Sequence, residues 1–253
     1  MELTRPARAA GPHAAPRTAV VWAVLRGELD RAGDRRLTVL DVGGGTGGFA
    51  VPLALAGHQV TVVDASPDAL AALTRRAAEA GVADRVRAVQ GDADGLAGLV
   101  APGSVDLALC HSVLEVVDDP ASAVADLAAA LRPGGAASVL VANLAAAVLA
   151  RAVGGHVVSA EALFTDPDGR VGPRDTLRRR FDADSATSLL TAGGLSVEQV
   201  HGVRVVADLV PAAVLDAEPG AYDALLRFEL AAAARPPYRD VATQLHLLAR
   251  RPA

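Results

Sequence analysis

The chain has 253 residues, 51% of them hydrophobic and only 3% aromatic, so a sizeable core is available but must be built from alanine, valine and leucine. A charged fraction of 21% and a net charge of −5 exclude bulk disorder and a wholly basic nucleic-acid-binding surface, while leaving room for a local patch. The single cysteine, Cys110, excludes a disulfide framework and a cysteine-cluster metal site, and all 24 basic residues are arginine.

Residues 1–16, with Pro6, Pro12 and Pro16, read as a mobile arm. Residues 17–31 carry helical spacing, with Val20, Val21, Val24, Leu25 and Leu29 on one face. Strand and helix signals then alternate. Leu37–Val42 is a short apolar strand ending at glycines, and Thr46–Ala56 reads as a helix stopped by Gly57. Gln59–Val63 is a strand ending at Asp64. Ser66 and Pro67 open a helix that runs to about Ala80, with Gly81 closing it. Val86–Gln90 and Asp106–His111 are the next strands, Pro120–Leu131 a helix, and Ala137–Ala142 a fifth strand after the turn Arg132-Pro133-Gly134-Gly135. Such alternation implies a parallel sheet with helices on both faces.

The rhythm changes after residue 150. Residues 154–180 read as a loop, rich in glycine, proline and charge. Asp182–Thr191 is a short helix with an acidic cap, Leu195–Val206 a strand, and Asp208–Asp216 and Tyr222–Ala233 are helical. Val241–Arg250 is a final strand, and the short tail after it predicts an antiparallel pair at one edge of the sheet. No linker separates a second domain. The whole chain 1–253 reads as one unit: an arm and first helix over 1–36, a core over 37–153, and substrate-side insertions with terminal strands over 154–253. The most apolar stretch, 136–150, is broken by Ser138 and Asn143 and falls short of the roughly 18–20 residues of a membrane span. The N-terminus lacks the apolar segment of a secretory signal, so the expectation is a soluble cytoplasmic protein.

The strongest local signal is Leu40-Asp41-Val42-Gly43-Gly44-Gly45-Thr46-Gly47-Gly48. Glycines between a strand and a helix let a ligand approach backbone N–H groups. Gly43, Gly45 and Gly48 fit the dinucleotide pattern G-x-G-x-x-G, and Gly43, Gly45 and Gly47 fit the G-x-G-x-G turn of S-adenosylmethionine enzymes. Asp64, ending the second strand, can accept both hydroxyls of a ribose in either case. Asp92, after the third strand, can take an adenine amino group. Cys110 reads as a buried strand residue, and the six histidines show no metal-ligand spacing.

The segments LDVGGGTGG, VTVVDAS, VQGDA, VDLALCHSVLEVVDDP and LRPGGAASV together resemble class I S-adenosylmethionine-dependent methyltransferases over roughly residues 37–142. The resemblance implies a Rossmann-like, doubly wound α/β fold: a seven-stranded, mostly parallel sheet with its last strand antiparallel. It implies S-adenosylmethionine as cofactor, with Asp41, Gly43, Gly44, Gly45, Asp64 and Asp92 around it. CHSVLEVVDDP, GVRVVADL, AYDALLRFEL and RPPYRDVATQLHLLARRP are similar to the bacterial tRNA 5-carboxymethoxyuridine methyltransferases, which esterify the carboxyl of a modified wobble uridine. That similarity implies a place for Arg17 on the cofactor, and for Ala93 and His111 beside it. It also implies a tRNA anticodon stem-loop as substrate, met by the Arg170–Arg180 loop.

That loop, GRVGPRDTLRRR, departs from the lysine-rich stretch of the relatives; residues 161–184 hold five arginines against six acids. Its arginines can line one face and grip phosphates, or be a solvated mixed loop. His111 and Glu115 follow the fourth strand, where the fold puts the methyl-accepting atom. His111 is a candidate base or a residue packed on the cofactor, and packing is the expectation, because a carboxylate acceptor needs no base. Arg204 can pair bidentately with an acceptor carboxylate, and Tyr238 can stack on a base. A small-molecule O- or N-methyltransferase and a non-catalytic cofactor-binding protein are the alternatives.

Overall fold

The computed structural model describes residues 15–166, 168–172 and 175–253. Its strands are β1 (Thr38–Val42), β2 (Gln59–Asp64), β3 (Val86–Gln90), β4 (Val105–His111), β5 (Leu131–Ala142), β6 (Ser196–Val203) and β7 (Gln244–Arg250). They form one seven-stranded sheet in the order β3-β2-β1-β4-β5-β7-β6. β1 to β5 pair in parallel, and β7 lies antiparallel to both β5 and β6. The expected antiparallel pair is therefore present at one edge. Within it β7 is the inner strand and β6 the outer one.

The helices are α1 (Ala19–Ala32), α2 (Ala50–Leu55), α3 (Pro67–Glu79), α4 (Pro120–Ala130), α5 (Leu144–Val153), α6 (Val157–Thr165), α7 (Ala183–Ala192), α8 (Ala212–Ala217) and α9 (Ala221–Ala232). They cover both faces, so the central strands are buried on each side and read as near-continuous apolar runs. One core joins Leu40, Val42, Ala108 and Val139 of the sheet to Val124 and Leu127 of α4 and Leu190 of α7. The other joins Val39, Val62, Leu109 and Leu140 to Trp22 and Leu25 of α1, Leu53 of α2 and Leu73 of α3.

Caps follow the expected chemistry. Ser66 Oγ accepts the Ala69 N–H at 3.2 Å at the start of α3. Asp119 Oδ1 accepts from Ala121 and Ser122 at 2.9 and 3.0 Å at the start of α4. Asp182 and Ser185 form a reciprocal capping box on α7.

Several boundaries move. α2 begins at Ala50 rather than at Thr46, because Gly43, Gly45 and Gly47 all take positive φ and keep the chain turning. β6 stops at Val203 because Arg204 adopts φ 60°, and α8 starts at Ala212 after Pro211, four residues later than its pattern suggests. α5 and α6 stand where the pattern predicts none or a loop. Alanine and leucine favour the helix, Asn143 caps α5 by accepting from Ala145 at 3.1 Å, and Gly155 at φ 79° turns the chain into α6. No helix among the described residues is long and apolar enough to cross a membrane.

Sheet order reverses direction between β1 and β4. In an open α/β sheet a crevice forms there, outside the C-terminal ends of the strands. The glycine turn after β1 and His111 at the end of β4 flank that crevice.

Candidate active site

The glycine turn is a backbone cradle with no space for side chains on its inner side. A Cβ on Gly43 would sit 2.4 Å from Val113 Cγ2, and one on Gly44 would sit 2.6 Å from the Asp41 carboxyl and 2.9 Å from Val62. Gly45, at φ 55°, faces open space instead. Asp64 ties the turn together: its Oδ2 accepts the Gly45 N–H at 2.8 Å and its Oδ1 the Ser66 N–H at 2.9 Å. Each oxygen keeps a further lone pair for a ligand.

Asp41 lies under this cradle. It is 2% exposed, and its Oδ2 is buried without a hydrogen-bond partner. Burial, helped by the nearby Asp64 charge, pushes its carboxyl up to about 7. The turn opens on a cleft of about 480 Å³, lined by Gly43, Asp64, Asp92, Ala93, Ser112 and Val113 among others. Asp92 precedes the short turn of helix 93–98 and is exposed at the rim, while Ala93 is buried. Four of the candidate cofactor positions, Gly43, Asp64, Asp92 and Ala93, thus share one cleft, with Gly44, Gly45 and Asp41 directly behind or beside it.

His111 closes β4 beside this cleft. Its ring packs edge-on against Phe49 at 4.7 Å, and Phe49 packs on Trp22 of α1 at 5.0 Å. Its Nε2 lies 2.9 Å from Ser138 Oγ, which lies 2.8 Å from His246 Nε2. His246 Nδ1 is 3.4 Å from His201 Nδ1. Burial pushes His111 down to about 4, and His246 and His201 below their usual values. Ser138, His201 and His246 carry no signal in the sequence: they lie on separate strands, and only the sheet register aligns them. Among the described residues no histidine, cysteine and carboxylate group is arranged to hold a metal ion.

Glu115 is buried at the same end of the sheet. Its Oε1 accepts the Ala142 N–H at 2.6 Å, its Oε2 has no partner, and burial raises its pKa. Cys110 is buried in the core, and burial raises its thiol further from ionisation.

After β6, Asp208 lies between two candidate arginines: 3.1 Å from Arg17 Nε and 3.2 Å from Arg204 Nε. Glu229 of α9 holds the segment between β6 and Asp208. Fully buried, it accepts the N–H groups of Val205, Val206 and Ala207 at 2.8 to 2.9 Å.

Three arginines of the Arg170–Arg180 loop are engaged with the protein itself. Arg180 is paired bidentately with Asp175, at 2.6 and 3.1 Å. That pairing, with the Val171 and Leu177 N–H groups, holds Asp175 down to about 2. Arg179 Nη1 donates to the Leu114 and Val117 carbonyls at 2.9 and 2.6 Å, and Arg178 pairs with Asp118. Arg178 and Arg179 fasten the loop to the segment after β4, while the Arg180–Asp175 pair closes the loop on itself, an arrangement that composition alone cannot separate from a clamp. Arg174 and most of the N-terminal arm lie outside the described residues. Tyr238 is exposed but sits edge-on to Phe228 at 6.3 Å.

A family model for the methyltransferase domain matches residues 40–139, the span that builds the turn, the cleft and the end of β4. The chain belongs to the class I S-adenosylmethionine-dependent methyltransferases, and S-adenosylmethionine is its cofactor. The glycine cradle and the carboxylates around it fit that cofactor. Within the class, the chain is 32% identical over 239 residues to the tRNA 5-carboxymethoxyuridine methyltransferase of Escherichia coli (strain K12), covering 93% of this chain and 88% of the relative. It is 35% identical over 175 residues to the ubiquinone biosynthesis O-methyltransferase of Xanthomonas euvesicatoria pv. vesicatoria, covering 69% of this chain and 68% of the relative. An S-adenosylmethionine dependent methyltransferase from Mesorhizobium loti shares the fold, with a TM-score of 0.61 at 23% identity over 92% of this chain and 98% of that one.

Proposed function

We propose that this methyltransferase esterifies the carboxyl group of a modified wobble uridine in tRNA, in the cytoplasm, with the whole chain acting as a single methyltransferase domain. The observation that carries this is the similarity to the Escherichia coli tRNA enzyme over 93% of the chain.

When bound, S-adenosylmethionine supplies an electrophilic methyl on a sulfonium, so the chain's task is to align the acceptor with it. Gly43, Gly44 and Gly45 bring backbone to the methionine end, with Asp41 beneath them. Asp64 takes the ribose hydroxyls, and Asp92 and Ala93 border the adenine. Arg17 meets the cofactor carboxylate, and His111 packs beside the methyl. Arg204 receives the acceptor carboxylate. A carboxylate is ionised near neutral pH, so no side chain has to remove a proton from it.

The experiment is methyl transfer from labelled S-adenosylmethionine to total tRNA, followed by nucleoside analysis, beside a small-metabolite pool. Label in an esterified wobble uridine supports the reading. Label confined to small molecules overturns it in favour of an O-methyltransferase of small acceptors, the reading that the Xanthomonas relative supports.

A further inference from the structure

Four side chains form a continuous file across one face of the sheet. His111 on β4 is in register with Leu140 on β5, Leu140 with His246 on β7, and His246 with His201 on β6. Ser138 is two residues before Leu140, so its side chain falls on the same face. The distances along the file are 2.9, 2.8 and 3.4 Å. At the far end His201 lines a groove of about 330 Å³ with Glu28, Gln199 and Leu248. At the near end His111 Nδ1 is buried without a partner.

We propose that His111, Ser138, His246 and His201 are a proton wire running from the reaction cleft to the groove behind α1, with His111 able to accept a proton from an acceptor hydroxyl. A neutral imidazole has one donor and one acceptor nitrogen, and a hydroxyl has one donor. The file can therefore be satisfied in two directions only. In the first, His111 Nε2–H donates to Ser138, Ser138 to His246 Nε2, and His246 Nδ1–H to His201 Nδ1; His111 Nδ1 is then an acceptor. In the second every bond is reversed, and His111 Nδ1 carries a proton. Passing from the first to the second moves one proton through the protein. The acceptor O–H proton goes to His111 Nδ1, each file member hands its proton to the next, and His201 Nε2–H releases one to the groove. The O–H electron pair stays on the acceptor oxygen, ready for the methyl.

Burial supports this by keeping the rings neutral near pH 7. No member has to hold a lasting charge. Around His201 the charged neighbours are Arg239, which disfavours its protonation, and the Glu28–Arg31 pair across the groove. His246, Ser138 and His201 are positioning residues: they set which nitrogen of His111 is free. The wire goes beyond carboxyl methylation, which needs no proton outlet, and provides for a hydroxyl acceptor.

The test uses the full chain without substrate, so it is independent of the tRNA assay. Two-bond proton–nitrogen spectra of imidazole-labelled protein report the tautomer ratio of His111. His201→Phe, made at the groove, should shift that ratio about two- to tenfold, the weight of one neutral hydrogen bond. His201→Gln, which retains a donor and an acceptor, should restore it toward the wild-type value. An unchanged ratio in His201→Phe overturns the wire. An equal shift in both variants also overturns it, because that response is packing rather than proton order.

Discussion

Arg17 and Arg204 are held by the two oxygens of one carboxylate: Asp208 Oδ1 lies 3.1 Å from Arg17 Nε and Oδ2 3.2 Å from Arg204 Nε. One arginine precedes the first helix and the other follows the sixth strand. Their shared partner joins the segment before α1 to the segment after β6. Arg17 is mostly exposed, so its pair adds little stability. Arg17→Ala should weaken S-adenosylmethionine binding about tenfold, the worth of one charge-assisted hydrogen bond. Asp208→Ala should change it by less than about threefold. Calorimetric titration checks both, and a larger loss in Asp208→Ala would mean that the carboxylate aims Arg17.

Asp64 clasps the glycine turn through the Gly45 and Ser66 N–H groups, and in the proposed site its remaining lone pairs meet the ribose. Asp64→Ala should lower cofactor affinity by one to a few orders of magnitude, from bonds to a charged group worth about 1.5–3 kcal/mol each. Calorimetry showing unchanged affinity would remove Asp64 from the site.

The glycines of the turn should respond differently to a methyl group. Gly43→Ala meets both a positive φ and Val113 Cγ2 at 2.4 Å, whereas Gly45→Ala meets only the positive φ. The backbone strain costs about 1–2 kcal/mol. Gly45→Ala should therefore fold with a modest loss of thermal stability yet bind cofactor poorly, because the open space beside it is where the ligand approaches. Gly43→Ala should lose distinctly more stability. Thermal melts paired with titrations separate the two effects.

Two sets of buried groups pull the pH dependence of stability in opposite directions. Asp41, raised to about 7 in the fold, binds a proton that the unfolded chain releases above about pH 4, so its contribution falls as pH rises toward 7. His111, lowered to about 4, stays neutral while the unfolded chain protonates below about 6.5, so its contribution rises with pH over that window. His201 and His246 act in the same sense as His111. Asp41→Asn should remove the falling part. Denaturation between pH 4.5 and 6.5 should then show stability climbing more steeply than in wild type, by about 1.4 kcal/mol per pH unit. Parallel curves would mean that Asp41 is ionised in the folded state throughout.

The alternation of strands and helices, the glycine turn, Asp64 and the caps Ser66 and Asp182 are legible in the sequence because each depends on neighbours within a few residues. Period, capping and turn chemistry are local, and the structure keeps most boundaries to within a few residues; β5 is the exception, starting at Leu131 and taking in the expected turn at 132–135. α5 and α6 escaped because a weakly patterned alanine-rich segment between glycines does not distinguish helix from loop until Asn143 is held by the Asp240 and Ala242 carbonyls, nearly a hundred residues away. Whether the Arg170–Arg180 loop was a phosphate grip or a solvated mixed loop stayed open in the sequence because composition counts charges without their partners. Asp175 is a local partner of Arg180, but only the fold brings Asp118 and the carbonyls after β4 to Arg178 and Arg179. The same holds for His111, Ser138, His246 and His201. The sequence by itself determined the class of fold and the cofactor turn, which are written in short-range pattern. The histidine file and the Asp208 link between two arginines were decided by tertiary structure alone, because strand register and sheet order set which distant side chains share a face.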